Sequence, residues 1–265
     1  SFQISFDSEL PQEPVAVVQL ADLADPRLLS SLLQYVTYQY TPAPSRNSSG
    51  LELRASMYTS MLYSGLFWPA SFLAARAVLR AIDLRRAEKG QAARDVHVVE
   101  LASGTGLPSL AAHRCSARVT CTDVSLLAHQ LVLTAAAMQS GGEISTQIFD
   151  IFLDSPERLL ELKPDIVVAS DLLYEEDFAE ALGRHLGAAA KSGAVVITTD
   201  PGRLDGRGQT VFLESFAKAM GSPTEVGFQK QHIPDGVLDR GLKAMKYGGQ
   251  VDRSVGVFEF CRAVK

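Results

Sequence analysis

From Val96 onward, short runs rich in β-branched residues alternate with stretches of helical periodicity, and this alternation limits the folds open to the chain more than any other feature. V-H-V-V-E-L at 96–101 precedes a helix starting at Pro108, and R-V-T-C-T-D at 118–123 precedes a helix over Ser125–Gln139. T-Q-I-F-D-I at 146–151 is the next strand. D-I-V-V-A-S at 165–170 then leads to a helix from Glu176, and A-V-V-I-T-T-D at 194–200 to a helix within Gln209–Met220. Parallel strands need crossover connections, so this order predicts βαβ units around one parallel sheet of five strands. The tail carries T-E-V-G-F-Q-K-Q-H-I at 224–233 and S-V-G-V-F-E-F-C-R at 254–262, with a Gly-rich loop and no strong crossover helix between them. These two segments should pair antiparallel at one edge.

At 265 residues, with 46% apolar and 21% charged side chains, the composition suits one α/β domain. Ahead of it, residues 15–20 read as a short strand, Pro26–Tyr40 as a helix and Pro42–Gly50 as an exposed loop. A helix from Ala70 carries Phe72, Ala75, Leu79 and Ile82 at helical spacing and stops before Gly90. The net charge of −5 offers no basic footprint for phosphate backbones or anionic lipids, which disfavours nucleic acid and membrane as partners. Cys115, Cys121 and Cys261 form no C-x-x-C pair, so neither a disulfide framework nor a cysteine-rich zinc site is readable. His97, His113, His129, His185 and His232 lack metal-ligand spacing, so no metal is expected and no role is assigned to them. No apolar run has the length of a membrane span. A cytoplasmic protein is the expectation, or an organellar one if a leader was removed ahead of Ser1.

The chemistry concentrates where the strand ending at Leu101 runs into A-S-G-T-G-L-P. Gly104 and Gly106 permit backbone conformations and close approaches that side chains would block. Pro108 suits the first turn of the next helix, whose free N–H groups face the same crevice. Asp123 closes the following strand, where an acid accepts hydrogen bonds from both ribose hydroxyls or, as the plainer reading, caps the helix near Ser125. A dinucleotide site wants G-x-G-x-x-G, yet the third position is Ser109 and Glu100 precedes the turn. Those two residues argue against NAD.

V-V-E-L-A-S-G-T-G-L-P-S-L at 98–110 resembles the first motif of the seven-β-strand, class I, non-SET protein-lysine methyltransferases, usually E-L-G-x-G-T-G-L. Ala102 replaces the first glycine. G-L-F-W-P-A-S at 65–71 is similar to the tryptophan segment before the family's core, S-D-L-L-Y at 170–174 to its D-x-x-Y motif, and Asp123 to its ribose acid. T-D-P-G-R at 199–203 is similar, more weakly, to the branch acting on the electron-transfer flavoprotein β subunit. The resemblance implies a Rossmann-like seven-stranded sheet, mostly parallel with an antiparallel C-terminal edge hairpin, over 65–265. Residues 1–64 would be an extension packed on that core.

It further implies S-adenosyl-L-methionine as cofactor and, as activity, transfer of methyl groups to a lysine of a protein substrate; a monomer is the separate expectation. A small nicotinamide-like acceptor and a non-catalytic binding module are the alternatives. Residue by residue, Trp68 would cover the cofactor, Glu100 would be a distant anchor for its methionine end, and Ala102, Ser103, Gly104, Thr105 and Gly106 would wrap the methionine portion. Asp150 and Ile151 would border the adenine, with Ile151 standing where many relatives carry tryptophan, and Ser170 would close the pocket floor. Asp171 would orient the incoming amine while Tyr174 walls the lysine channel. Glu175, Glu176 and Asp177 fit a helix first turn, and Arg203 either meets an acidic part of the substrate or braces its loop.

Overall fold

The computed structural model describes residues 2–4, 15–17, 65, 68–90, 92–202, 206–222, 226–233 and 254–261. β3 (His97–Leu101), β4 (Arg118–Asp123), β5 (Ile144–Ile148), β6 (Ile166–Ser170) and β7 (Val195–Asp200) are mutually parallel. β9 (Ser254–Phe260) runs antiparallel to both β7 and β8 (Gln229–His232), completing a seven-stranded sheet of order β5-β4-β3-β6-β7-β9-β8. The α/β sheet and its antiparallel edge hairpin are therefore as the sequence predicts. A separate two-stranded ladder joins β1 (Phe2–Ile4) to β2 (Val15–Val17), the latter inside the strand expected at 15–20. The helix expected over 26–40, the loop at 42–50, the 64/65 boundary and Arg203 lie outside the described residues.

The two faces of the sheet bury two apolar layers. α1 (Ala70–Lys89), α2 (Leu107–Arg114) and α3 (Leu126–Ala137) cover one, with Phe72, Leu110 and Val132 packed on Val98, Val119 and Val168. α4 (Pro156–Glu161), α5 (Glu176–Lys191) and α6 (Arg207–Met220) cover the other, with Leu159, Leu182 and Phe212 on Val99, Val167 and Val196. β3, β6 and β7 are buried almost throughout, and their shared Val-rich stretches, V-V in β3, I-V-V-A in β6 and V-V-I in β7, are what make them legible in sequence. α6 is fastened to the edge hairpin by rings: Phe258 meets Phe212 at 5.2 Å and Phe216 at 5.1 Å, both edge-on.

Two elements depart from expectation. β5 ends at Ile148 rather than at residue 151, because the Asp150 carboxylate accepts hydrogen bonds from the Phe152 and Leu153 amides and folds the chain into a turn. α4 was not anticipated, and its six residues are too short to display helical periodicity.

β3 pairs with β4 on one side and β6 on the other. The connection after β3 therefore leaves toward one half of the sheet while the one after β6 leaves toward the other, opening a crevice at the carboxyl ends. No helix among the described residues is long and apolar enough to cross a membrane.

α5 and α6 approach closely through Gly183 and Gly187. A Cβ on Gly183 would lie 2.7 Å from both the Phe212 carbonyl oxygen and Ser215 Cβ. Alanine gains about 1 kcal/mol of helix propensity over glycine, but this collision is with three atoms of α6 within 3.0 Å, two of them backbone, and costs about 3 kcal/mol, a net loss of about 2 kcal/mol. Gly183→Ala should therefore lower the thermal midpoint by several degrees. An unchanged midpoint in calorimetry would refute the tight helix contact.

Candidate active site at the carboxyl ends of β3, β4 and β6

The turn after β3 is built from residues in the left-handed region: Ala102 at φ 48°, Gly104 at 52° and Gly106 at 68°. Ser103 N donates to the Thr122 carbonyl at 2.9 Å, fixing the turn to β4, and Gly106 N returns to the Ser103 carbonyl at 2.7 Å. Gly106 has no room for a side chain, since a Cβ would sit 2.5 Å from Val132 Cγ2. Ala102 replaces the first glycine of the motif that this turn resembles, and its left-handed backbone costs about 1 kcal/mol.

Two buried acids hold this turn in place. Glu100 Oε2 accepts from Ser109 N at 3.0 Å, so the acid on β3 ties down the first turn of α2. Burial is the main cause that pushes its pKa up to about 8, against the Ser109 hydrogen bonds and with a smaller push from the Asp123 charge. Asp123 Oδ2 accepts from Gly104 N at 2.9 Å and Oδ1 from Ser125 N at 2.8 Å. Burial raises it too, to about 6, opposed by these backbone bonds. The N-cap of α3 is Ser125, whose Oγ accepts from Ala128 N at 3.4 Å. Asp123 is thus not the cap itself but the brace that joins the glycine turn to the start of α3. A carboxylate has about four acceptor sites, so Asp123 retains capacity for a further donor beside the amides already bound.

The turn also has a polar group awaiting a ligand. Ser103 Oγ is buried with no hydrogen-bond partner, in a side chain only 7% exposed. An orphaned hydroxyl among left-handed amides suits the polar methionine end of the cofactor that the resemblance implies.

Asp150 and Ile151 lie in a reinforced turn. Asp150 N donates to Asp154 Oδ2 at 2.7 Å, and Asp154 N donates to the Asp150 carbonyl at 2.8 Å. Arg158 on α4 donates to Asp154 Oδ1 and, at 2.9 Å, to the Ile148 carbonyl, with its guanidinium 5.8 Å from the centre of the Phe149 ring. His185 Nε2 on α5 donates to the Ile151 carbonyl at 2.9 Å, while the Ile151 side chain is buried in the α4–α6 layer. Burial holds His185 below the ordinary histidine pKa, against the bond to the Ile151 carbonyl. Arg158 and His185 are supports the sequence did not reveal, because they act across 10 and 34 residues of chain.

At the end of β6, Ser170 is half-buried and Asp171 is buried with φ 61°. Asp171 N donates to the Thr199 carbonyl at 2.8 Å, so β7 holds this strained residue in place. Thr199 Oγ1 donates at 3.2 Å to the Ala70 carbonyl, two residues beyond the half-buried Trp68. Thr199 thereby links the tryptophan segment to Asp171, a role no motif signals. Tyr174 packs against Phe178 at 4.8 Å, and Glu176 pairs with Arg207 at 3.3 Å on the surface. Asp200 Oδ2 accepts from Gly202 N and Gln209 Nε2, steadying the segment after β7. Among the described residues no group of His, Cys, Asp or Glu side chains is placed to hold a metal ion.

A buried acid with a raised pKa keeps its proton in the fold while the unfolded chain has lost it. Its contribution is therefore present at low pH and lost as pH rises toward the folded value. Between about pH 5 and 8, Glu100 should make stability fall by up to about 1.4 kcal/mol per pH unit. Glu100→Gln retains an acceptor for Ser109 N without titrating, so its stability should vary less over that range, leaving the smaller contribution of Asp123. Urea denaturation at a series of pH values checks this, and equal slopes for the two proteins would refute it.

A family model described as lysine methyltransferase matches residues 45–219. The histone-arginine methyltransferase METTL23 of Mus musculus is 27% identical over 152 residues, 56% of this chain and 57% of that protein. Its Rattus norvegicus counterpart is 29% identical over 144 residues, 53% of this chain and 60% of that one. The chain thus spans less than two thirds of the length of the curated relatives it matches. Among solved structures, the magnesium protoporphyrin IX methyltransferase of Synechocystis aligns with a TM-score of 0.42 at 14% identity, over 89% of this chain and 94% of that one. The N-methyltransferase NodS of Bradyrhizobium japonicum aligns with a TM-score of 0.41 at 13% identity, over 72% and 99%.

Proposed function

The chain belongs to the lysine methyltransferase family, with S-adenosylmethionine as methyl donor, and from that premise we propose that it methylates the side-chain amine of a lysine in a protein substrate. The observation that carries this reading is Asp171, a buried carboxylate in a strained backbone conformation at the carboxyl end of β6, with Tyr174 in the same connection. Strain of this kind persists where surrounding structure over-determines it, typically at sites of function.

When bound, S-adenosylmethionine supplies a methyl group already activated on a sulfonium. The protein's part is to align a nucleophile behind that methyl and keep water away. In this reading, Ala102 to Gly106 wrap the methionine portion and Asp123 takes the ribose. Asp150 and Ile151 border the adenine, Ser170 forms the floor and Trp68 covers the ligand. A lysine amine has an ordinary pKa of about 10.4 and must lose its proton before it attacks. The Asp171 carboxylate accepts a hydrogen bond from the incoming nitrogen and orients its lone pair, while the Tyr174 ring helps desolvate the stem and favours the neutral amine.

Arginine is a second acceptor supported by a specific observation, since the curated relatives are named histone-arginine methyltransferases. Labelled cofactor, a cell lysate and mass spectrometry of the labelled bands separate the possibilities. Methyl-lysine in a protein is the expected product and methylarginine supports the second reading. Label confined to small molecules would overturn both in favour of a nicotinamide-like acceptor.

Asp171→Asn is the most direct variant, because asparagine tolerates the left-handed conformation as aspartate does. Turnover should fall by about 100-fold or more, with calorimetry giving cofactor affinity close to that of the unaltered protein. Unchanged turnover would remove Asp171 from the reaction.

A further inference from the structure

The turn after β5 exposes apolar surface that its folding does not require. Phe152 is 46% exposed and Leu153 85% exposed. The turn is closed by Asp150, Asp154, Arg158 and the His185 bond to Ile151, and none of these uses the side chain of Phe152 or Leu153. Polar residues would serve equally in such a turn, and adjacent large apolar groups left in water mark a surface that meets something.

These residues are continuous with the acceptor side of the site. The Phe152 ring meets Phe178 edge-on at 4.6 Å, and Phe178 lies 4.8 Å from Tyr174. An aromatic ridge therefore runs from the exposed turn to the residue that walls the proposed lysine channel. Its flank is acidic: Glu175 and Asp177, which adjoin Tyr174 and Phe178 in the chain, are exposed, and Glu176 between them is paired with Arg207. Of the nearby cations, Arg158 is engaged by Asp154 and the Ile148 carbonyl, and Arg207 by Glu176.

We infer that the ridge Tyr174–Phe178–Phe152, ending at Leu153, is the docking surface for the polypeptide around the acceptor lysine, a cationic segment with an apolar side chain close to the target. This inference rests on the protein-lysine reading above. Apolar contact on the rings supplies affinity, and the acidic flank selects basic neighbours through complementary charge. Two ring-to-ring steps of 4.6 and 4.8 Å reach no further than about three residues of extended chain. The apolar residue should therefore lie within about three positions of the lysine. A small free amine has no use for this surface.

The test is a positional-scanning library of lysine-centred peptides with tritiated S-adenosylmethionine. The unaltered enzyme should prefer Leu, Ile, Met or Phe within three positions of the lysine, with Lys or Arg beside them, by about tenfold over alanine. The double variant Phe152→Ser, Leu153→Asp should lose that preference through a raised KM, with kcat at saturation and cofactor affinity by calorimetry unchanged. Phe152→Tyr should retain it.

A flat preference in the unaltered enzyme, or a preference that survives in the double variant, would overturn the inference. So would a shift from dimer to monomer in the double variant by sedimentation, because the ridge would then belong to a second copy of the chain. An enzyme that labels lysate proteins but no library peptide refutes docking through this short ridge. An enzyme that labels neither refutes the protein-lysine reading itself.

Discussion

The Asp123 carboxylate is the interaction on which the rest of the site depends. One oxygen holds the amide of Gly104 and the other the amide of Ser125, so a single side chain joins the turn after β3 to the helix after β4. Burying a carboxylate is expensive unless hydrogen bonds replace its water, and burial raises the Asp123 pKa to about 6 against the backbone bonds that oppose it. Ribose hydroxyls would supply further donors to the same oxygens and so favour the ionised form. Ligand binding and the charge of Asp123 are therefore linked, with the bound state drawing its pKa downward. Glu100 repeats the design one layer deeper, where it fixes α2 from below through Ser109 N.

With the donor side fixed by these acids, the backbone accepts strain at two matching places. Ala102 leaves β3 and Asp171 leaves β6, each a non-glycine residue in the left-handed region at the end of one of the two strands that flank the switch point. Neither stands alone. The turn after Ala102 is pinned by Ser103 N on the Thr122 carbonyl, and Asp171 by its amide on the Thr199 carbonyl. The neighbouring strand on the outer side thus holds Asp171 directly and Ala102 through the next residue, Ser103. Thr199 extends this brace to Ala70 and, through the first turn of α1, toward Trp68.

What the sequence disclosed follows the same division. The central parallel strands are readable because burial on both faces favours short Val- and Ile-rich stretches, and the edge hairpin because no strong crossover helix is legible between its segments. The glycine turn and Asp123 were readable because their chemistry is local to a strand end. β5 was placed too late, since a side chain bonding its own backbone at Asp150 overrides the β-branched pattern that suggested a longer strand. α4 escaped because one and a half turns carry no period. Thr199, Arg158 and His185 were invisible as site supports for a common reason: each works through a carbonyl of another segment, and a carbonyl has no identity in sequence. His185, which carries no motif in sequence, takes an architectural part by holding the Ile151 carbonyl.

The contrast between the two sides of the crevice explains why family and substrate are not equally legible. The donor side is read by backbone amides and buried acids, whose geometry tolerates few residue types, so a short motif suffices to identify it. On the proposed reading the acceptor side would be bounded by Tyr174, Phe178, Phe152 and an exposed leucine, of which the three rings are joined by contacts that many apolar residues would satisfy. Such a surface sets specificity by shape and charge rather than by fixed hydrogen bonds. A fold of this kind can keep its methyl donor while its acceptor changes, because substitutions at the ridge leave the bonds made by Glu100 and Asp123 untouched.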